Sequence, residues 1–168
     1  MNKVIVIGCP GSGKSTFSIK LADLTGLPLV HLDLLNWNSD GTTVDREVFL
    51  ERQKTNLKKE SWIIDGNYGA SMDSRFQACD TVMFLDYPLQ VCLTGIENRR
   101  GKARPDMPWV EDEIDQEFID FVKAFPETGR EQIISLIDQF SDKKVYIFKN
   151  RHEADVFLEG LADCKDVL

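Results

Sequence analysis

The 168-residue chain lacks the features that indicate a nucleic-acid-binding, membrane or secreted protein. It has no run of five or more basic residues and a formal net charge of −8, which argues against nucleic acid as a partner because such binding depends on neutralising phosphates. The N-terminal apolar run is too short for a signal peptide, and no later stretch could span a bilayer. We therefore expect a cytoplasmic protein without a membrane partner.

Cysteine pairs with metal-binding or redox spacing are also missing. None of the four cysteines belongs to a C-x-x-C pair, and none has metal-ligand spacing with either histidine, which predicts reduced thiols. These cysteines are Cys9, Cys79, Cys92 and Cys164. No repeat, linker or low-complexity segment divides the chain. Because a core of ordinary size fits this length, we predict a single domain over residues 1–168, whose oligomeric state the sequence does not indicate.

The segment from Gly8 to Thr16 matches G-x-x-x-x-G-K-S, the pattern of a phosphate-binding loop. Its glycines allow the backbone N–H groups to point inward at phosphate oxygens. Lys14 can reach the β- and γ-phosphates, and the Ser15 hydroxyl can bind Mg²⁺. An apolar strand pattern precedes the loop and a helical pattern follows it, so we predict that the loop binds ATP. The predicted nucleotide ligands here are Gly8, Pro10, Gly11, Ser12, Gly13, Lys14, Ser15 and Thr16.

Apolar runs alternate with helical patterns along the whole chain. This alternation predicts an α/β fold with a doubly wound five-stranded parallel sheet and a ligand crevice at the carboxyl ends of the strands. The predicted strands cover residues 4–7, 27–32, 62–65, 81–85 and 145–148. Helical patterns lie between them, including a polar segment over 34–60 and an amphipathic helix from Val110.

Two aspartates follow predicted strands on the crevice side. Phosphoryl transfer depends on positioning and charge neutralisation, so a carboxylate near the metal is expected. Asp65 ends the third strand and is the candidate metal ligand, although an aspartate there could instead cap the following turn. Asp33 follows the second strand and could orient or deprotonate an acceptor hydroxyl, with a helix cap as the alternative.

Basic residues cluster between the fourth and fifth strands, in a segment with one glycine and two prolines that predicts a flap rather than a helix. Planar, always-charged guanidinium groups suit phosphate, although such a charge run is often only a solvated surface. We predict that Arg99 and Arg104 close over the phosphates and that Arg100 contributes to nucleotide binding. Arg75, on a short helix after Asp65, is a candidate for binding an anionic group of the acceptor.

Several motifs occur together and in order, and together they resemble a known family. They comprise residues 8–16, His31-Leu32-Asp33 followed by Trp37, residues 62–68, Arg75 with Asp80, residues 84–88 and residues 102–107. The chain resembles the DNA topology modulation (flagellar regulator-related) proteins, a branch of the adenylate-kinase-like P-loop kinases. The resemblance spans nearly the whole chain. Its most particular elements are Asp65-Gly66-Asn67-Tyr68 and Arg104-Pro105-Asp106-Met107.

This resemblance implies a nucleotide-kinase fold with ATP on the phosphate-binding loop, an acceptor lobe over residues 34–60 and a lid over about 99–110. It also implies that Arg99 and Arg104 are lid arginines, and that Asn150 and Arg151 lie at the edge of the adenine site. The chain departs from the pattern twice. Gly95 stands where such kinases commonly have an arginine. Asn67-Tyr68 replaces the Phe-Pro-Arg that follows Asp-Gly in adenylate kinases, which argues against AMP as the acceptor.

The leading hypothesis from the sequence is an ATP- and Mg²⁺-dependent kinase that acts on a small acceptor, a nucleotide or nucleoside. Two alternatives remain: a regulatory NTP-binding protein with slow ATPase activity, and a small-metabolite kinase of the shikimate or gluconate type. Either kinase requires a closed pocket lined by Asp33, Trp37 and Arg75. The regulator requires an exposed partner surface, and no basic or apolar patch in the sequence indicates one.

Overall fold

Five strands form one sheet in the computed structural model, which describes the backbone of residues 1–165 and the side chains of residues 1–163. The strands are β1 (Lys3–Gly8), β2 (Leu29–His31), β3 (Trp62–Asp65), β4 (Thr81–Leu85) and β5 (Lys144–Phe148). All are parallel, in the order β2-β3-β1-β4-β5. The predicted fold class and the five predicted strands are therefore confirmed. Cys9, Cys79 and Cys92 are buried free thiols, and the side chain of Cys164 lies outside the described residues.

The central strands are nearly continuous apolar runs because helices cover both faces of the sheet. β1 pairs with β3 on one side and β4 on the other, so that Ile5 lies between Ile64 and Val82. All three side chains are completely buried. This core fixes the strand ends at one edge, where the phosphate-binding loop leaves β1.

Helices cover both faces of the sheet. In chain order, the helices are α1 (Lys14–Thr25), α2 (Leu32–Asn36), α3 (Arg46–Leu57), α4 (Met72–Ala78), α5 (Leu89–Arg99), α6 (Gln116–Ala124), α7 (Gly129–Gln139) and α8 (Arg151–Lys165), with 3₁₀ turns at Gly69–Ser71 and Phe125–Glu127. Among the described residues, no helix is long and apolar enough to cross a membrane.

The segment between α5 and α6 differs from its prediction. The helix expected from Val110 begins only at Gln116, because the Asp115 carboxylate accepts a hydrogen bond from the Glu117 N–H at 3.0 Å and caps the helix there. Residues 100–115 are therefore not helical. Together with Arg99, the last residue of α5, they cover the segment predicted as a lid over 99–110 and extend beyond it; "the lid" below means residues 99–115.

Candidate active site

The phosphate-binding loop lies between β1 and α1 and depends on its glycines. Gly11 and Gly13 have φ angles of +83° and +93°, which side-chain-bearing residues rarely adopt. α1 begins directly after Gly13, so its first backbone N–H groups have no acceptor within the helix. An anion at this helix end would supply one. The loop predicted from the sequence therefore has the backbone geometry of an anion site.

Helix α5 packs backbone to backbone against this loop. A Cβ on Gly95 would lie 2.1 Å from the carbonyl oxygen of Gly11, and one on Gly11 would lie 2.1 Å from that of Cys92. No side chain fits in either place. The close approach of α5 to the loop therefore leaves no room for a side chain, arginine included, at position 95.

Lys14 is folded back over the loop. Its Nζ donates hydrogen bonds to the carbonyl oxygens of Gly8 and Cys9, at 3.0 Å and 3.1 Å. Burial lowers the pKa of Lys14, while the charges of Asp65, Cys9 and Asp33 act to raise it. Phosphate oxygens are stronger acceptors for an ammonium group than neutral carbonyls are. Lys14 is thus placed to exchange these carbonyls for a phosphate.

Ser15, the predicted Mg²⁺ ligand, contacts a carboxylate from the lid. Its hydroxyl donates to Oδ2 of Asp106 at 2.7 Å, and the same oxygen lies 3.3 Å from Nη1 of Arg104. Arg104 and Met107 pair across a tight turn whose second residue is Pro105, a position that proline favours. This turn directs Asp106, which is only 4% exposed, onto the phosphate-binding loop.

The two lid arginines predicted to close over the phosphates converge on one acid. Nε of Arg99 and Nη2 of Arg104 each lie 3.2 Å from Oε2 of Glu111. The Arg99 guanidinium also lies over the ring of Phe118, 5.5 Å from its centroid. Burial lowers the pKa of Arg99, and the charge of Glu111 opposes that effect. An anionic oxygen therefore already occupies the point at which both arginines meet.

Asp33 faces the same crevice from the start of α2. Its Oδ1 accepts a hydrogen bond from the Tyr68 hydroxyl at 2.7 Å. Burial raises the pKa of Asp33, and it outweighs the hydrogen bond from Tyr68 and the charge of Lys14, which act to lower it. A half-buried carboxylate with a raised pKa, fixed by a hydrogen bond, is suited to act as a base towards a hydroxyl group.

The loop of residues 66–69, here called the acceptor loop, holds Tyr68 in that position. Among the described residues, Tyr68 is the only non-glycine residue with a positive φ, +41°. The side chain of Asn67 bonds both backbone polar groups of Gly8, donating to its carbonyl at 2.7 Å and accepting from its N–H at 3.1 Å. A conformation of this kind persists only where its surroundings enforce it, and such places are often functional.

Arg75 holds the acceptor loop in place through hydrogen bonds to its backbone. Its guanidinium donates to the carbonyl oxygens of Gly66 at 2.7 Å, of Asn67, and of Tyr68 at 3.1 Å. The side chain is fully buried and does not line the cavity. Burial lowers its pKa to about 9, which still leaves the group cationic at neutral pH. The donors of Arg75 thus serve the backbone of the acceptor loop, and its role in binding the acceptor stays a prediction.

Asp65, the predicted metal ligand, is paired with a histidine. The Nδ1–H of His31, at the end of β2, lies 2.9 Å and 3.0 Å from the two carboxylate oxygens of Asp65. Burial acts to lower the pKa of His31, but the hydrogen bond and charge of Asp65 outweigh it and the pKa is raised. Asp65 is 4% exposed and does not line the cavity. The carboxylate that contacts Ser15 is Asp106.

One cavity of about 1140 Å³ connects the phosphate-binding loop, the lid and Asp33. At its far end, Trp37 of the acceptor lobe and Trp109 of the lid lie against each other, with ring centroids 5.6 Å apart and ring planes at 58°. Both tryptophans line the cavity. The volume exceeds that of a usual single-ligand pocket and is sufficient for two small substrates.

The residues predicted at the adenine edge separate into two groups. Arg151 lines the cavity, and a Cβ on Gly13 would lie 3.1 Å from its Nη1, so its guanidinium covers the phosphate-binding loop. Asn150 instead caps α8: its Oδ1 accepts from the Glu153 N–H at 3.0 Å and its Nδ2 donates to the Glu153 carboxylate at 2.8 Å. Asn150 thus has a structural role in capping α8, and its nucleotide role stays a prediction. Arg100 lines the cavity and pairs with Glu97 at 3.7 Å.

Several site residues were not predicted from the sequence. They are His31, Asn67, Tyr68, Asp106, Trp109 and Glu111, whose contacts are described above. Asn67, Tyr68 and Asp106 lie inside the two most particular motifs of the family resemblance, which was the available signal. Nothing in the local pattern marks Trp109 or Glu111.

The fold is similar to solved structures of kinases. A shikimate kinase from Aquifex aeolicus vf5 matches over 97% of this chain and 95% of its own, with a TM-score of 0.58 and 18% identity. A gluconokinase from Sinorhizobium meliloti 1021 matches over 99% and 96%, with a TM-score of 0.55 and 16% identity. A shikimate kinase from Acinetobacter baumannii in complex with shikimate matches over 98% and 92%, with a TM-score of 0.58 and 16% identity.

These similarities define a class of fold. The chain has the fold of the P-loop kinases over nearly its whole length. No family model matches the chain, and no curated protein matches it. The resemblance to the topology modulation proteins therefore stays a prediction.

Proposed function

We propose that this protein transfers a phosphoryl group from ATP, with Mg²⁺, to a hydroxyl group of a small acceptor, a nucleotide or nucleoside. The observation that carries the proposal is that Lys14, Ser15 and the lid arginines share one cavity with the hydrogen-bonded pair of Asp33 and Tyr68. A protein that only binds or slowly hydrolyses ATP has no need of a second, carboxylate-bearing end in the same cavity.

The residues of the loop and lid divide the work at the phosphates. Lys14, Arg99 and Arg104 supply positive charge where charge develops on the transferring group. Ser15 and the carboxylates of Asp65 and Asp106 fit Mg²⁺, because it prefers oxygen ligands and is held mainly through a few carboxylates, phosphates and waters. When bound, Mg²⁺ neutralises phosphate charge. Asp106 accepts a hydrogen bond from the Ser15 hydroxyl, which leaves a lone pair of the hydroxyl oxygen free for the metal.

Asp33 acts at the acceptor. Its carboxylate takes the proton of the acceptor hydroxyl as that oxygen bonds to the γ-phosphorus, and the bond from phosphorus to the bridging oxygen of ADP breaks. Tyr68 holds the carboxylate in place and Arg75 holds Tyr68. The lid covers the cavity, and such covering excludes water as a competing acceptor.

A small-metabolite kinase of the shikimate or gluconate type is the second candidate. What favours it is the fold, which is similar to that of a shikimate kinase and a gluconokinase at 16–18% identity. Both candidates predict phosphoryl transfer and differ only in the acceptor.

The test is release of ADP by the full chain with MgATP, with and without a panel of acceptors, for wild type and Asp33→Asn. We expect at least one acceptor to accelerate ADP release, and Asp33→Asn to reduce that acceleration by roughly a hundredfold. Slow transfer to water, which does not use Asp33, should survive. The control is Asp23→Asn, on the exposed side of α1. If no acceptor accelerates ADP release although ATP binds, the protein is not a kinase of this kind.

A further inference from the structure

The charges in the cavity are distributed unevenly between its two ends. Basic residues line it at the phosphate-binding loop, in the lid and at its flanks: Lys14, Arg99, Arg100, Lys102, Arg104 and Arg151. In the part of the chain that the structure describes, no lysine or arginine of the acceptor lobe or the acceptor loop lines the cavity. The acceptor end instead presents the carboxylate of Asp33.

The basic residues nearest to the acceptor end are already engaged. The three hydrogen bonds of the buried Arg75 all go to carbonyls of the acceptor loop. Arg52 of the acceptor lobe is exposed and donates to the carbonyl of Leu35 at 2.9 Å. Arg99 and Arg104 pair with Glu111 and Asp106, so the four lid groups have no net charge together.

An anionic acceptor would therefore place a second negative charge beside Asp33, and neither the acceptor lobe nor the acceptor loop, both within the described residues, lines the cavity with a cation to compensate it. Enclosing an uncompensated charge is among the most unfavourable events in a protein interior. Asp33 already shows the effect, since burial raises its pKa. An uncharged acceptor avoids this penalty, and its hydroxyl group can donate to the carboxylate.

Aromatic rings complete the acceptor end. Trp37 lies one helical turn after Asp33, and its backbone N–H donates to the Asp33 carbonyl at 2.9 Å. Trp109 of the lid contacts it, and the two rings together form one aromatic part of the cavity lining. Flat heteroaromatic rings stack on such side chains with little dependence on the identity of the base.

We infer that the acceptor is an uncharged nucleoside rather than a nucleoside monophosphate or a carboxylic acid. This inference rests on the proposed function and narrows it. The nucleobase packs against the Trp37–Trp109 pair, and a ribose or deoxyribose hydroxyl group donates to Asp33. Selection against anions comes from the charge of Asp33 and from the acceptor lobe and acceptor loop, which, among the described residues, line the cavity with no lysine or arginine.

Equilibrium dialysis in the presence of Mg²⁺ and a non-hydrolysable ATP analogue tests the inference by binding alone. Cytidine, guanosine and thymidine are each compared with their own 5′-monophosphates, and shikimate and gluconate represent the carboxylic acids. We expect at least one nucleoside to bind on the order of a hundredfold more tightly than its monophosphate and than either acid. Binding of a monophosphate or acid as tightly as the nucleosides overturns the inference, and so does a failure of all three nucleosides to bind.

Two substitutions at one position separate charge from shape. Trp37→Arg adds a cation to the acceptor end, whereas Trp37→Leu removes the aromatic ring without adding charge. We expect Trp37→Arg to narrow the affinity gap between nucleoside and monophosphate tenfold or more. Trp37→Leu should weaken nucleoside binding and leave the gap nearly unchanged. If the affinity difference between nucleoside and monophosphate is as large in Trp37→Arg as in Trp37→Leu, charge does not select the acceptor.

The proposed function fails in a different way. If the nucleosides bind with the expected preference but the same mixture with ATP releases no ADP, phosphoryl transfer is refuted. The charge preference of the cavity would still stand.

Discussion

The two ends of the cavity are built in opposite ways. The nucleotide end is cationic and comes largely from one contiguous segment, Gly8 to Thr16, with the lid and Arg151 closing over it. The acceptor end combines a carboxylate with aromatic rings, and its residues are far apart in the chain. They are Asp33, Trp37, Asn67, Tyr68 and Trp109. In the proposed function, a contiguous backbone segment would bind the phosphate chain, whereas recognition of an acceptor would use side chains that only the folded sheet brings together.

The two ends also differ in how their charges are balanced. At the nucleotide end the lid supplies both signs, because Glu111 and Asp106 pair with Arg99 and Arg104. Nucleotide phosphates can therefore replace carboxylates that are already in place. At the acceptor end, the Asp33 carboxylate has only the hydroxyl of Tyr68 as a hydrogen-bond partner among the described residues. The four predictions below test this contrast, from the largest expected effect to the smallest.

The largest effect is expected at the nucleotide end, from Lys14→Ala. The substitution removes the cation over the phosphate-binding loop, and loss of one such donor typically reduces the rate by a hundredfold to a thousandfold. Acceptor-stimulated ADP release is the measurement. The control is Lys20→Ala on α1, where Lys20 is exposed and pairs with Asp155 at 3.1 Å. If Lys14→Ala turns over within a few-fold of the wild-type rate, Lys14 does not contribute to phosphoryl transfer.

The second prediction asks which carboxylate supports the metal. Asp106→Asn removes the negative charge of the group that accepts a hydrogen bond from the Ser15 hydroxyl. Loss of a partner that orients a metal ligand typically lowers metal affinity tenfold to a hundredfold. We expect the Mg²⁺ concentration at half-maximal binding of a non-hydrolysable ATP analogue to rise about tenfold.

Asp65→Asn is the matched comparison, because Asp65 is the metal ligand predicted from the sequence and its carboxylate is engaged by His31. It should raise the Mg²⁺ requirement less than Asp106→Asn does. A larger effect of Asp65→Asn would indicate that Asp65, at the end of β3, supports the metal rather than Asp106.

The contrast between the two ends also explains how far the sequence could be interpreted. The strands were predictable because buried parallel strands are short apolar runs, and the phosphate-binding loop because its chemistry depends on adjacent residues. Asp33 could be placed because it follows a strand on the crevice side. The contacts of Arg75 could not be predicted, because its short distance from Asp65 in sequence does not reveal that its guanidinium bonds the backbone of the acceptor loop.

The structure of the lid could likewise be predicted only in part from the sequence. Its glycine and prolines identified a non-helical segment, but the start of α6 depends on Asp115 acting as a cap. Aspartate occurs in many other places in this acidic region, so its capping position could not be identified beforehand. The contacts of Asp106 with Ser15 and of Trp109 with Trp37 cross 91 and 72 positions of sequence, and no local periodicity encodes them.

The third prediction tests whether Arg75 belongs to the framework of the acceptor end. Arg75→Met keeps the length of the side chain but leaves buried carbonyls of the acceptor loop without donors. We expect a loss of about 3 kcal/mol in the free energy of unfolding, or roughly 6–12 °C in melting temperature. Arg52→Met is the control, since Arg52 donates to one carbonyl on an exposed surface. An unchanged melting temperature together with weaker acceptor binding would support the role predicted from the sequence.

The smallest effect concerns the charge of Asp33 and depends on pH. Burial raises the pKa of Asp33 in the folded protein above its ordinary value, so the ionised carboxylate disfavours folding at neutral pH. Asp33→Asn should therefore raise the melting temperature by a few degrees at about pH 7 while it impairs transfer.

As the pH falls through the raised pKa, the wild-type carboxyl becomes protonated in the folded state and its disadvantage disappears. The gain from Asp33→Asn should accordingly shrink towards zero near pH 4, the ordinary pKa of aspartate. Melting curves of both proteins between these two pH values measure it, with Asp23→Asn as the control for an equal change of formal charge on the exposed side of α1. A gain that stays constant across the range, or a loss of stability at neutral pH, would mean that the acceptor end stabilises its carboxylate. The structural basis for selection against anionic acceptors would then be gone.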